Sequence, residues 1–308
     1  MHYPNLFIIG APKCGTTTLY QLLNAHPKVF VPTSKEPHHF STEYCLTPDL
    51  SQYFENYRAW TSKEKWAVDA SVWYLHSPTA IPNILRVRPD ARFIIMLRRP
   101  IEMIPSMHQQ QVFNGNELEN DLSSALSLND ERLKGKGSSV FKGFPPEQLA
   151  YFQSCALGRQ MRRLLSRVDE NQVHIILQED LGKTPNQVLK KVYDFLDLNP
   201  IFPTNFKKAN EGRARLYPAL DRITKSLGSW KTKAGIKFRF GILSWLRSVN
   251  QKKQVRPPLT EEQCNEIHKR MAADVYLLSR CINRDLSHWQ DSQRSYDKKK
   301  SQDSKGTL

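Results

Sequence analysis

The chain has 308 residues, with 45 Lys and Arg against 30 Asp and Glu, which gives a formal net charge of +15 at pH 7. Hydrophobic residues make up 39% of it, including six Trp and fourteen Phe, which is ample for a core. No apolar run approaches the roughly 18 residues that a membrane span needs, and the excess positive charge predicts an anionic ligand or partner.

The chain is organised around residues 5–23, NLFIIGAPKCGTTTLYQLL. This stretch predicts a buried strand at 6–9, a glycine-bounded loop at 10–15 and then a helix. Such a loop brings backbone N–H groups to a helix N-terminus, whose dipole adds about half a positive charge. Lys13 supplies a full charge to the loop. Further hydroxyl donors come from the first turn of the helix: Thr16, Thr17 and Thr18. The stretch therefore predicts a phosphate-binding loop.

The loop resembles the P-loop of nucleotide triphosphatases, G-x-x-x-x-G-K-[ST], but Thr16 stands at the lysine position and the lysine has moved to Lys13. A triphosphate enzyme also needs an acidic residue at the end of a second strand to hold Mg²⁺. The best second strand, residues 92–97, ends instead in Arg98 and Arg99. These cations repel Mg²⁺ and attract a second phosphate. The sequence therefore predicts a metal-free site for a nucleotide with phosphates in two places.

Four blocks of sequence resemble the sulfotransferases that use 3′-phosphoadenosine 5′-phosphosulfate (PAPS). They are PKCGTTTL at 12–19, KEPHHFS at 35–41, FIIMLRRPIEMIPSMHQ at 93–109 and VHIILQEDLGKTPNQVLKKVYDFLDL at 173–198. The blocks stand in the family's order and spacing. The resemblance implies an α/β fold, with a P-loop-like parallel sheet flanked by helices on both faces in a single domain. It also implies PAPS as cofactor, adenosine 3′,5′-bisphosphate as product and no metal.

The same resemblance assigns the nucleotide contacts. The block at 12–19 would bind the 5′-phosphosulfate through Lys13, Cys14, Gly15, Thr16, Thr17 and Thr18. Lys13 would also stabilise the leaving phosphate. In the third block, Arg98 and Ser106 stand eight residues apart, as in the family, and would hold the 3′-phosphate, with a bidentate contact from Arg98.

Sulfuryl transfer needs a base for the acceptor hydroxyl or amine. Glu36 follows a predicted strand at 29–31, and α/β sheets place their sites at strand ends. By resemblance Glu36 is the general base, whereas from the residues alone it could instead form a surface ion pair with Lys35. His38 and His39 are the alternative bases. One of these two is expected to pack where the family often has an aromatic residue.

A predicted strand and turn at 67–74 departs from part of the family. In the glycosaminoglycan branch this region carries a Glu-Lys pair that contacts the reaction centre. Val68 and Asp69 stand at those positions here, so we do not expect that contact. Trp73 or Tyr74 could stack on adenine, or pack in the core.

The middle of the chain is less family-like. Residues 114–146 are polar and form either an acceptor-binding loop or a surface insertion. An amphipathic helix is expected at 149–168, with four arginines on its exposed side: Arg159, Arg162, Arg163 and Arg167. A buried strand is expected at 173–177, followed by helices at 185–196 and 257–280.

The last third carries two further nucleotide candidates. Asn210, Arg213 and Arg215 loosely fit a segment that folds over the nucleotide in bacterial relatives, so Arg213 or Arg215 would touch the 3′-phosphate. The polar tail at 291–308 has almost no apolar residues and is predicted to be disordered. The sulfotransferase domain is therefore expected at 1–290.

Residues 222–256 contain ten Lys or Arg and no Asp or Glu. Within this basic segment, residues 237–249 are amphipathic and suit peripheral contact with a membrane, a cap on the acceptor cleft, or a helix docked on the domain. The KEPHHFS block and the basic charge favour a glycan acceptor; a lipid or other hydroxylated small molecule is the alternative. No nucleic-acid motif accompanies the charge, so nucleic acid is not expected as a partner.

The first strand begins near the N-terminus, so we expect no signal peptide. Five Cys without paired spacing suit a reducing compartment, and the cytoplasm is predicted. Cys14 either has a lowered pKa at the helix N-terminus, as a redox-active thiol would, or is a small residue that fits the loop. Two other classes of protein remain open: a divergent ATP- or GTP-dependent kinase, and a basic module that binds polyanions through residues 222–256.

Overall fold

The computed structural model describes residues 3–45, 49–61, 63–136, 140, 144–202 and 258–291. It also describes the backbone of two short strands, β6 (Arg213–Arg215) and β7 (Gln251–Lys253), which pair antiparallel. Several sequence predictions lie outside the described residues: Asn210, the amphipathic stretch 237–249, the rest of the basic segment 222–256 beyond β7, and the tail after residue 291.

The chain divides into two compact units. The first comprises residues 1–103, 155–210 and 264–308, and the second comprises residues 104–154 and 211–263. Each unit is described by itself below, and the expectation of one domain over 1–290 stays a prediction.

Five strands of the first unit form one parallel sheet. They are β1 (Leu6–Gly10), β2 (Val29–Phe30), β3 (Trp66–Asp69), β4 (Arg92–Leu97) and β5 (Val173–Leu177). Their order across the sheet is β2-β3-β1-β4-β5, and every neighbouring pair is parallel. β1 is buried at every position, as expected for a central strand covered on both faces. The prediction of an α/β, P-loop-like parallel sheet is confirmed.

Parallel strands need helical crossovers, and helices alternate with the strands along the described chain. The helices are α1 (Thr16–Asn24), α2 (Leu50–Glu55), α3 (Ala80–Val87), α4 (Pro100–Asn114), α5 (Leu122–Ser127), α6 (Asn129–Arg132), α7 (Tyr151–Ser154), α8 (Leu157–Leu165), α9 (Gln178–Lys183), α10 (Pro185–Leu196) and α11 (Glu261–Cys281). Within the described part of the chain, none of them is long and apolar enough to cross a membrane.

The prediction of a single helix at 149–168 is wrong. The helix is interrupted between α7, which ends at Ser154, and α8, which begins at Leu157. The carboxylate of Asp274, on α11, accepts the backbone N–H of Gly158 at 2.7 Å and of Arg159 at 3.0 Å. These two groups are N–H donors of the first turn of α8, which have no partner inside the helix. A cap supplied from more than 100 residues away gives no signal in the local hydrophobic period.

Two predictions of burial also need correction. β5 lies at the edge of the sheet, and its first three residues are only half-buried. Arg163 is half-buried rather than exposed, because its Nη2 donates to the carbonyls of Leu75 at 2.6 Å and His76 at 2.7 Å. The other three arginines of the predicted exposed side are exposed.

The start of α9 is tied to the C-terminal segment. Glu179 accepts a hydrogen bond from Trp289 Nε1 at 2.8 Å and lies 2.8 Å from His288 Nε2. Arg284 forms two bonds to Asp180, at 2.5 and 2.9 Å. Glu179 and Asp180 lie at the start of α9, and they bind the segment that follows α11.

In the second unit, a buried ion pair organises the polar segment at 114–146. Glu117 and Arg132 are both fully buried, with 2.8 Å between carboxylate and guanidinium. Tyr151 donates to Glu117 at 2.9 Å, and Arg132 donates to the carbonyl of Leu149 at 3.1 Å. A buried ion pair of this kind is costly to break from either side. The segment therefore has a packed core of its own and is more than a polar surface loop.

Candidate active site

The loop between β1 and α1 packs against β4. The backbone N–H of Ala11 donates to the carbonyl of Met96 at 2.8 Å, and a Cβ added to Gly15 would lie 3.3 Å from Met96 Cε. Lys13 and Gly15 have φ values of +64° and +97°, in the left-handed region. These two turns lead the chain straight into α1, whose first N–H groups have no partner within the helix. The strand, the tight loop and the helix start therefore follow one another in the order predicted from the sequence.

Cys14 fills the interior of this loop. Its side chain is fully buried, with the thiol 3.8 Å from Met103 Sδ. Burial raises the pKa of Cys14 to about 12, although the charges of Arg98 and Lys13 act in the opposite direction. The redox interpretation is therefore wrong, since the thiol stays protonated, and Cys14 is a small residue that fits the loop.

Arg98 stands at the end of β4 and braces the same loop. Its Nη1 donates to the carbonyl of Lys13 at 3.0 Å, and its Nε donates to Glu102 at 3.1 Å. Arg99 also bonds to Glu102. Burial raises the pKa of Glu102, but the hydrogen bonds and charges of the two arginines outweigh it and hold that pKa below its ordinary value. A guanidinium has five N–H donors, so Arg98 can bind the loop, Glu102 and a phosphate oxygen together.

The other residues predicted to hold the 3′-phosphate are Ser106 and Arg213 or Arg215, and this role stays a prediction. Ser106 lies in α4, is buried, and belongs to the second unit. Arg213 and Arg215 lie in β6, where only the backbone is described.

Glu36 and Lys35 lie beside the first turn of α1. Lys35 Nζ is 3.0 Å from Thr17 Oγ1 and 3.2 Å from Glu36 Oε1, and His38 Nε2 is 3.8 Å from Glu36 Oε2. Burial raises the pKa of Glu36, but the hydrogen bond from His38 and the charge of Lys35 outweigh it, so that pKa lies below its ordinary value. Glu36 is thus a carboxylate that pairs with Lys35, as the surface interpretation had it. The pair nevertheless stands at the phosphate loop, as the base interpretation requires.

The two histidines of the KEPHHFS block have different surroundings. His39 stacks on Tyr53, with ring centroids 4.3 Å apart, and so occupies an aromatic packing position as predicted. His38 is buried with its ring edge against Tyr74, and its Nδ1 has no hydrogen-bond partner among the described residues. His38 Nε2 also lies 3.8 Å from the carboxylate of Glu36.

Sequence reasoning missed the role of Asp69. This residue ends β3, is fully buried, and accepts hydrogen bonds from Ser71 at 2.7 Å, Tyr53 at 3.0 Å and Tyr74 at 3.1 Å. Burial raises the pKa of Asp69 above its ordinary value, although these three donors lower it. Tyr74 is thus a core residue, whereas Trp73 is half-buried. An acidic residue at the end of a buried strand, followed two residues later by Ser, was the available signal.

The comparisons with known proteins agree with this geometry. A model of the sulfotransferase domain family matches residues 3–211. The membrane-associated sulfotransferase kil1 of Dictyostelium discoideum is 29% identical over 141 residues, which cover 45% of this chain and 29% of that protein. Carbohydrate sulfotransferase 15 of Homo sapiens is 26% identical, over 64% of this chain and 44% of that protein. The chain thus spans less than half the length of these curated relatives.

Two further similarities cover more of this chain. The bifunctional heparan sulfate N-deacetylase/N-sulfotransferase 1 of Caenorhabditis briggsae is 26% identical, over 65% of this chain and 23% of that protein. The crystal structure of a sulfotransferase from Alicyclobacillus acidocaldarius aligns with a TM-score of 0.69 at 23% identity, over 94% of this chain and 100% of that one. This structural likeness concerns the fold, and the family match extends over more than half of the chain. The chain belongs to the sulfotransferase domain family.

Proposed function

We propose that this chain is a sulfotransferase that takes a sulfuryl group from PAPS and transfers it to a hydroxyl or amine of a glycan. One observation carries the proposal: Lys35 connects Thr17, in the first turn of α1, with the carboxylate of Glu36. An anion-binding loop and a candidate base thereby form one hydrogen-bonded unit. Family membership supports the reaction type, and two of the relatives are named for carbohydrate and heparan sulfate, which supports the acceptor class.

The proposed step is an in-line displacement at sulfur. The acceptor oxygen or nitrogen attacks the sulfur atom, and its proton passes to the carboxylate of Glu36. The bond between sulfur and the bridging oxygen of the 5′-phosphate breaks, and its electron pair stays on that oxygen. Lys13 and the N–H groups at the start of α1 stabilise this developing charge. The products are the sulfated acceptor and adenosine 3′,5′-bisphosphate, and the proton leaves Glu36 to solvent.

We assign the donor nucleotide to two anchors. Lys13, Cys14, Gly15, Thr16, Thr17 and Thr18 would surround the 5′-phosphosulfate, with Cys14 contributing only its backbone, because its side chain is buried. Arg98, held by the loop carbonyl of Lys13, would grip the 3′-phosphate. The roles of Ser106, Arg213 and Arg215, the domain bounds 1–290 and the cytoplasmic compartment stay predictions from the sequence.

Two features argue against the kinase alternative. Thr16, at the position of the triphosphate lysine, is buried. Asp69 ends β3, a direct neighbour of β1, but its carboxylate is occupied by the hydroxyls of Ser71, Tyr53 and Tyr74.

The test is transfer of radiolabelled sulfuryl from PAPS to a panel of acceptors: desulfated heparan, chondroitin, a lipid with a free hydroxyl, and small phenols. We expect label on a glycan, and a loss of about 100-fold or more in Lys13→Ala and Glu36→Gln, because each removes a group that acts in the transition state. Glu64→Gln, at a half-buried glutamate that bonds to Thr61, and Lys190→Ala, at an exposed helix ion pair, are the matched controls.

Label on the lipid or a phenol alone would keep the donor and replace the acceptor class. Wild-type turnover in Glu36→Gln would remove the base assignment. If the protein transferred phosphate from ATP only in the presence of Mg²⁺ and transferred nothing from PAPS, the kinase alternative would replace this proposal. Retention on a heparin column without any nucleotide-dependent transfer would favour the polyanion-binding module.

A further inference from the structure

Asp69 is the centre of a buried network of hydroxyls that stands behind the candidate base. We call Asp69, Ser71, Tyr53 and Tyr74 the Asp69 network. Its carboxylate lies at the end of β3, where Asp69 pairs with Phe7 of the strand that leads into the phosphate loop. Oδ1 accepts the Ser71 hydroxyl, and Oδ2 accepts both tyrosines.

Two members of the network bind the chain that follows Glu36. The backbone N–H of His38 donates to Ser71 Oγ at 3.1 Å, and that of Phe40 donates to Tyr74 Oη at 3.2 Å. Residues 38–40 belong to no helix or strand, so a sheet or helix does not supply acceptors for these buried N–H groups. The two hydroxyls supply them instead.

The carboxylate of Asp69 fixes the direction of the hydrogen bonds in this network. The hydroxyls of Ser71 and Tyr74 donate to the Asp69 carboxylate and accept the backbone N–H groups of His38 and Phe40. Each hydroxyl is thereby a donor on one side and an acceptor on the other, and such chains strengthen their members. Tyr53 differs, since its hydroxyl donates to Asp69 but accepts neither of these two backbone N–H groups.

The segment held in this way is strained. Glu36 and His38 have φ values of +64° and +50°, in the left-handed region that a Cβ disfavours. Residues stay in such conformations only where their surroundings hold them. The two bonds to Ser71 and Tyr74 fix His38 and Phe40, directly after Glu36.

We propose that Asp69 is a positioning residue for Glu36, acting through Ser71 and Tyr74 to fix the backbone of residues 38–40. The proposal rests on the proposed function, because it takes Glu36 as the base. The network holds the backbone of His38, whose Nε2 lies 3.8 Å from the Glu36 carboxylate. Asp69 itself touches neither donor nor acceptor.

Four single variants separate the members of the network. Ser71→Ala removes the hydrogen-bond acceptor of the His38 amide, and Tyr74→Phe removes that of the Phe40 amide. Asp69→Asn replaces the carboxylate to which both hydroxyls donate. Tyr53→Phe is the matched control, because it removes a hydroxyl from the same carboxylate without touching either amide. The primary measurement is residue-specific amide hydrogen exchange by NMR, and the second is the titration of ¹³C-labelled Glu36, assigned with Glu36→Gln.

We expect Ser71→Ala to speed exchange about threefold to tenfold at His38, and Tyr74→Phe to do so at Phe40. Asp69→Asn should speed both and move the Glu36 titration up towards its ordinary range, whereas Tyr53→Phe should leave exchange and titration unchanged. The proposal would be overturned if the exchange rates of the His38 and Phe40 amides in all four variants equalled those of the wild type. It would also be overturned if the Glu36 titration in Asp69→Asn stayed at its wild-type position. If Asp69→Asn fails to fold, Ser71→Ala and Tyr74→Phe still decide it.

None of these readouts uses the nucleotide, so the two proposals can fail separately. Titration of the wild-type protein and of Tyr74→Phe with adenosine 3′,5′-bisphosphate completes the set. Absence of binding in the wild type would end the sulfotransferase proposal and leave the exchange result standing. Binding within twofold in Tyr74→Phe is expected, because the network holds the base and not the phosphate loop; a large loss there would contradict the assigned role.

Discussion

At the scale of single residues, the position of Glu36 decides what the site can do. A carboxylate with a lowered pKa is a weak base in water, but it is ionised throughout the neutral range and lies beside a loop built to bind anions. Lys35 links the two through Thr17. The same ammonium therefore fixes the carboxylate and keeps it charged.

Lys35→Met tests this link. Removing an ammonium 3.2 Å from the carboxylate takes away an interaction that favours the charged form, so the pKa of Glu36 should rise. In a ¹³C titration the Glu36 signal should change at higher pH than in the wild type. Lys35→Arg should restore most of the shift, because it returns the charge.

The matched control is Lys65→Met, at an exposed ion pair with Asp197. It should leave the Glu36 titration where it is. An unchanged titration in Lys35→Met would mean that His38 alone sets the charge of Glu36.

How much could be predicted differs between these residues. Lys13, Glu36 and Arg98 were predicted as site residues from sequence, because short motifs put each at the end of a strand or in a loop, and their roles stay predictions. The roles of Lys35 and Asp69 were not found. Their partners, Thr17 for one and Tyr53 for the other, lie 18 and 16 residues away, and only the packed fold shows that they meet.

At the scale of elements, the sheet and its crossovers followed from the sequence, whereas the break between α7 and α8 did not. The pattern of apolar residues differs between strands and helices. The bounds of β1, β4 and α10 were therefore predicted to within one or two residues. The start of α8 depends instead on Asp274 of α11. A helix end that is set by a distant carboxylate cannot be read from local pattern.

The contact between α8 and α11 makes a sharp prediction at Gly158. A Cβ at this position would lie 2.2 Å from the carbonyl oxygen of Asp274 and 2.9 Å from the backbone nitrogen of Leu278, so the helices would have to separate. Gly158→Ala should therefore lower the free energy of unfolding by about 1–3 kcal/mol, measured by urea denaturation.

Gly182→Ala is the control for that experiment. A Cβ at Gly182, within α9, would meet nothing within 4 Å, so the change should be neutral or stabilise by up to about 1 kcal/mol, from helix propensity. Equal effects of the two substitutions would show that backbone propensity, and not close helix packing, governs Gly158.

At the scale of the whole molecule, family membership and the five-stranded parallel sheet are the firm results. The net charge of +15 is larger than one nucleotide needs, which is why we assign the remainder to an anionic glycan. The chain spans less than half of its named curated relatives, so its acceptor must be found by experiment on this chain.

The central claim is that the loop and Arg98 bind a nucleotide with phosphates at both the 3′ and 5′ positions. Calorimetric titration with adenosine 3′,5′-bisphosphate in the absence of metal, beside ATP with Mg²⁺, tests it most directly. We predict saturable binding of the bisphosphate, weakened about tenfold or more in Arg98→Ala and unchanged in Arg58→Ala, at an exposed surface arginine. Binding of ATP only with Mg²⁺, and no binding of the bisphosphate, would contradict it.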